Sequence, residues 1–128
     1  LTSIAIEKNE LRILPAVAWV VFVTILLCLP GSALPQESWF DKIWLDKWIH
    51  IALFLIMVYL WCRYISNNRG KKLRSFRQIA IYFFIYGIIM EVVQKYFIPN
   101  RSFDVKDIIA DGFGCAIGLL ISSRAIKK

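Results

Sequence analysis

Between Leu14 and Leu29 the chain reads LPAVAWVVFVTILLCL, a run with no charged side chain. Three more apolar stretches follow, at about residues 48–64, 79–98 and 107–123. A chain of 128 residues builds one small domain, and the interior of such a domain has no room for four segments of this kind. Hydrophobic residues make up 59% of the sequence, against about 45–50% in soluble domains, and the mean hydropathy is +0.59. Lipid is the simplest environment for the surplus. Open strands are excluded there because their backbone groups would go unpaired. The expected fold is therefore all-α: a polytopic membrane bundle of about four transmembrane helices, forming a single domain over residues 1–128. At about 1.5 Å per residue the apolar runs are short for a hydrocarbon core of about 30 Å. Their ends are expected to reach the interface or to line a wet cavity.

Lys8 and Arg12 precede the first run and Gly31-Ser32-Ala33 follows it, a layout shared with secretory signal peptides. The run is long for a signal core and further spans follow, so an uncleaved helix is expected, with Pro15 in its first turn, where the missing N–H costs nothing. Cys28, Cys62 and Cys115 lie in or beside apolar segments. None has metal-ligand spacing, and all three read as small buried hydrophobes.

The formal charge is +7 and the pI is near 9.5. Such a balance suits nucleic acid or a membrane surface. The apolar spans decide for the membrane and against a nucleic-acid partner. Lys and Arg then report topology. With four spans, eleven of the sixteen fall on one side and five on the other. Six lie between the second and third spans, and residues 64–78 contain no acid. That side is expected to be cytoplasmic, with both termini on it. Trp39, Trp44 and Trp48 then form an aromatic belt at the outer interface.

On this topology the polar residues gather at one end. Asp46, Lys47 and His50 open the second helix; Glu91, Gln94 and Lys95 lie near the end of the third; Arg101, Asp104 and Asp107 lead into the fourth, and Asp111 lies a turn deeper. Glu91 and Gln94 share a helix face. So do Asp104, Asp107, Asp111, Gly114 and Gly118, a stripe acidic at its outer end and small at its inner end. Gly114-x-x-x-Gly118 permits close approach of a neighbouring helix, which turns the acids into the bundle.

Ionisable groups at membrane depth are costly and mark sites by default. Lys47, His50, Glu91, Gln94, Arg101, Asp104, Asp107 and Asp111 are the candidate pocket residues. Plainer roles stand beside this one. Asp104 caps the fourth helix with Asp107 in its first turn; Arg101 neutralises acids or contacts a lipid phosphate; Lys47 snorkels; His50 is a structural hydrogen-bonding residue. No recognised zinc spacing occurs, and Ser102 lacks a nucleophile elbow. No metal and no other cofactor is expected. Acid–base chemistry by His50, Glu91 or an aspartate stays open.

Asp46-Lys47-x-x-His50, Gly87-x-x-x-Glu91-x-x-Gln94 and Arg101-Ser102-Phe103-Asp104-x-x-Asp107-x-x-x-Asp111-x-x-Gly114-x-x-x-Gly118 together resemble VanZ-like proteins, over about Asp46 to Leu120. Their order and spacing are fairly specific, whereas each piece alone is weak. The family often carries Asn where this chain has Asp111. The resemblance implies a small multi-helix membrane protein, and its founding members are associated with resistance to the glycopeptide teicoplanin.

The expectation that follows is a cell-envelope protein of the bacterial cytoplasmic membrane, its polar pocket facing the periplasm or cell exterior. Its partners would be membrane lipid and an envelope component such as a lipid-linked cell-wall precursor or a glycopeptide. Three alternatives remain open: a membrane enzyme acting on such a lipid through His50 or Glu91, a proton- or ion-coupled transporter, and a structural or assembly partner of another membrane protein docking on Gly114 and Gly118; a homo-oligomer is a further candidate partner.

Overall fold

The computed structural model describes residues 2–29, 45–69, 73–99 and 105–125. Four α-helices make up the described chain: α1 (Thr2–Leu27), α2 (Leu45–Arg69), α3 (Leu73–Phe97) and α4 (Val105–Ala125). No strand occurs among the described residues.

Each helix is longer than its apolar run, and each begins before it. The helix-forming residues Glu7, Lys8, Leu11 and Arg12 carry α1 back to Thr2. Pro15 therefore lies inside α1 and not in its first turn, and it removes the N–H that would donate to the Leu11 carbonyl. The 25 residues of α2 and of α3 each extend about 38 Å, more than the apolar stretches alone suggest. Segments Lys47–Ser66 and Leu73–Phe97 have the length and hydropathy to cross a membrane. The apolar part of α1, Ile13–Leu27, is shorter, and α4 carries Lys106, Asp107 and Asp111 in its first two turns.

α2 is the central helix. It packs against the other three, most extensively against α4, and α1 and α4 do not touch among the described residues. α2 and α4 run parallel: Lys47 meets Asp107, His50 meets Asp111, and Ile51 and Leu55 meet Gly114 and Gly118. The two glycines set the spacing. A Cβ at Gly114 would lie 2.5 Å from the Ile51 carbonyl oxygen, and one at Gly118 would lie 2.8 Å from that of Leu55. Only glycine permits this approach of the two backbones.

α1 is tied to the bundle by polar bonds. Trp19 Nε1 donates to the Leu53 carbonyl at 3.0 Å. The Thr24 hydroxyl donates to the Val20 carbonyl at 2.8 Å, so the bond of 2.6 Å between Thr24 Oγ1 and the Tyr86 hydroxyl must take its proton from Tyr86. The core is formed by Val23, Leu27, Leu53, Phe54, Met57, Val58, Cys62, Phe76, Ala80, Met90 and Cys115. The cysteines are free thiols, with Cys62 and Cys115 buried.

The distribution of polarity is reversed relative to a soluble bundle. Leu14, Val21, Ile25, Ile81, Ile85, Ile89, Ile109, Phe113 and Leu120 are exposed, while His50, Glu91, Gln94, Asp111 and Ser122 are buried. In water such an exterior would be a large sticky surface; in lipid it is the expected one.

Candidate functional site

The site lies where the first turns of α2 and α4 meet the last turns of α1 and α3. Lys47 Nζ bonds Asp107 Oδ1 at 2.6 Å. One helical turn along α2, His50 Nδ1 bonds Asp111 Oδ1 at 2.7 Å. The second ring nitrogen, Nε2, lies 3.9 Å from Asp107 Oδ1. These contacts form a chain of alternating partners, Lys47–Asp107–His50–Asp111, across the α2–α4 seam. Burial increases along it: the Lys47 and Asp107 side chains are 14% exposed and that of Asp111 only 2%. An ionised carboxylate in so dry a place is tolerated only with a partner, and His50 is that partner.

Helix geometry explains the arrangement. Lys47 and His50 are three residues apart and Asp107 and Asp111 four apart, so each pair shares one face. Parallel helices then bring the two pairs into register. An imidazole held by a carboxylate at Nδ1 has a fixed orientation, and its Nε2 is left for a second task.

α3 closes the site from the other side. A Cβ at Gly87 would lie 2.7 Å from Asp111 Oδ2 and 3.1 Å from Phe54 Cε1, so the missing side chain is the space Asp111 occupies. Glu91, one turn on, is 1% exposed and within electrostatic reach of His50. Gln94 is buried too, but its amide faces α1: Nε2 donates to the Leu27 carbonyl at 2.9 Å. That carbonyl is in the last turn of α1, where no intrahelical donor remains.

The structure thus brings Lys47, His50, Asp107, Asp111 and Glu91 to one place and turns the Gln94 amide toward α1. Arg101 and Asp104 lie outside the described residues, as do Trp39 and Trp44; Asp46 falls in α2, with its side chain outside that description. Trp48 is exposed at the same helix end. Among the described residues no three His, Cys, Asp or Glu side chains converge as a metal-ligand set.

Two features of this region were not assigned roles from sequence. One is Gly87. The other is an apolar groove of about 400 Å³ between α2 and α4, lined by Lys47, Trp48, Ile51, Lys106, Ile109, Ala110 and Phe113. Its signal is the spacing 106, 109, 110, 113 on α4, a single helix face. Lys47 belongs to both the groove and the ion-paired chain.

The fold and site define a small helical bundle with an apolar exterior and a buried ionic seam at one end. The VanZ/LLP1 family matches residues 7–126, nearly the whole chain, and the protein belongs to that family. No curated protein and no solved structure matches the chain.

Proposed function

We propose that this VanZ/LLP1 protein is a cell-envelope protein of the bacterial cytoplasmic membrane whose helix-end cluster binds an envelope component, such as a lipid-linked precursor. All four helices cross the bilayer, both termini are cytoplasmic, and the cluster faces the periplasm or cell exterior. The Lys and Arg asymmetry and the apolar exterior support the orientation and the span count. The observation that carries the binding reading is the position of Lys47, which joins Asp107 and the buried His50–Asp111 pair to an open groove at the helix ends. A purely structural seam has no need of such an opening. The association of founding family members with teicoplanin resistance fits a component on the side where glycopeptides act, and a resistance role for this chain is part of the proposal.

Gentle extraction followed by mass spectrometry tests it. The wild-type protein is expected to carry a stoichiometric envelope component. His50→Gln should lose it while staying helical and membrane-bound. Wild-type protein that carries nothing would overturn the reading.

A second reading rests on one specific feature, the His50–Asp111 pair, which leaves His50 Nε2 oriented and not bonded to Asp111. Such a pair suits general acid–base catalysis on a bound lipid head group. Turnover of that component by purified protein, abolished by His50→Gln, would separate catalysis from binding alone.

A further inference from the structure

We infer that the α2–α4 groove seats one hydrocarbon chain of a phosphate-bearing anionic membrane lipid, with the phosphate held at the groove's outer end by Lys47 and Lys106. This assignment rests on the helix-end cluster being a binding site for an envelope component, and it names the class of that component.

The groove has two chemically distinct parts. Trp48, Ile51, Ile109, Ala110 and Phe113 supply apolar walls, and the two charged lining residues are both lysines. Because α2 and α4 run parallel here, Lys47 in the first turn of α2 and Lys106 in the first turn of α4 fall at the same end. From position 106 to position 113 the α4 wall runs about 10 Å inward. Its volume of about 400 Å³ is within the ~300–1,000 Å³ typical of small-molecule sites. Trp48 and Phe113 are 64% and 59% exposed, so the groove opens sideways, the direction from which a membrane lipid arrives.

The division of labour follows from the medium. Chains already in lipid gain little from an apolar wall, since lipid tails are as apolar as Leu. The walls therefore select shape, and preference must come from charge. Basic residues near a membrane surface attract anionic head groups, and Asp107 fixes the position of the Lys47 ammonium. A free phosphate would use the lysines and leave the walls without a function. A zwitterionic lipid would use the walls and gain little from the lysines. A phosphate-bearing anionic lipid uses both.

The test takes the full chain in phosphatidylcholine nanodiscs doped with phosphatidylglycerol, read by native mass spectrometry for lipid retained one-to-one. Wild type is expected to retain phosphatidylglycerol in preference to phosphatidylcholine. Lys106→Gln should lower that preference roughly fivefold, the worth of about one basic residue at a membrane surface. Ile109→Trp fills the groove from a position that is 53% exposed, which spares the fold, and should abolish retention. Water-soluble glycerol phosphate should not displace the lipid.

Equal retention of the two lipids by wild type would overturn the proposal, as would unchanged retention in both variants or displacement by glycerol phosphate. If the co-extracted component survives Ile109→Trp and Lys106→Gln but is lost in His50→Gln, the groove assignment falls and the cluster remains a binding site. If wild type carries no component at all, both fall.

Discussion

Asp111 of α4 occupies the place where a side chain at position 87 of α3 would begin: a Cβ on Gly87 would lie 2.7 Å from Asp111 Oδ2. The carboxylate is fixed between this glycine and His50, whose Nδ1 is 2.7 Å from Asp111 Oδ1. Gly87→Ala should therefore act through Asp111. The displaced carboxylate loses its bond to His50 in a dry interior, at an expected cost of about 3–5 kcal/mol. Thermal unfolding in detergent should show the loss. In the Asp111→Ala background the same substitution should cost much less, because the atom it strikes is gone, and equal losses in both backgrounds would contradict the geometry.

Substitutions at Asp111 itself separate charge from shape. Asp111→Ala leaves His50 without its partner and should destabilise by about 3–5 kcal/mol. Asp111→Asn keeps the volume and an acceptor oxygen, and should cost less. With the cavity still filled and the polar contact to His50 kept, the variant should fold. Comparison of the two melting profiles checks the ordering.

The α2–α4 seam predicts a hierarchy among the glycines of α4. Gly114→Ala drives a methyl against the Ile51 carbonyl oxygen at 2.5 Å, whereas Gly112→Ala meets the Phe84 ring at 3.1 Å. Backbone cannot yield as a ring can. Gly114→Ala should cost about 1–3 kcal/mol and Gly112→Ala clearly less, as measured by unfolding in the same detergent.

Topology is open to thiol labelling. In a Cys28→Ser background the remaining native thiols, Cys62 and Cys115, are buried. Lys106→Cys and Arg74→Cys place exposed thiols at opposite ends of the bundle. A membrane-impermeant maleimide applied to intact cells should label position 106 and not position 74. The reverse pattern would place the cluster on the cytoplasmic side.

Much of the fold was legible because lipid leaves few choices. The uncharged run from Leu14 to Leu29 and its three successors mark the four helices found among the described residues. Helix ends were not legible, because Glu7, Lys8 and Arg12 lack apolar periodicity and yet continue α1 past Pro15. The convergence of Lys47, His50, Glu91, Asp107 and Asp111 followed from counting spans, which puts distant residues at one end. Their pairing did not follow, since Lys47 with Asp107 and His50 with Asp111 requires the register of two parallel helices. Gln94 shares a face with Glu91, but its amide donates instead to the Leu27 carbonyl in the last turn of α1. The groove was hidden for another reason: Trp48, Ile109 and Phe113 look like ordinary lipid-facing residues until two helices are placed side by side.

On the function proposed above, the Lys47–Asp107–His50–Asp111 chain serves a bound envelope component. The most direct measurement is mass spectrometry of gently extracted wild-type and His50→Gln protein, with circular dichroism on the same samples. One bound component per wild-type chain is expected, with loss of that component in His50→Gln and unchanged helicity. An empty wild-type protein, or a component retained in full by His50→Gln, would rule out a binding role for the chain.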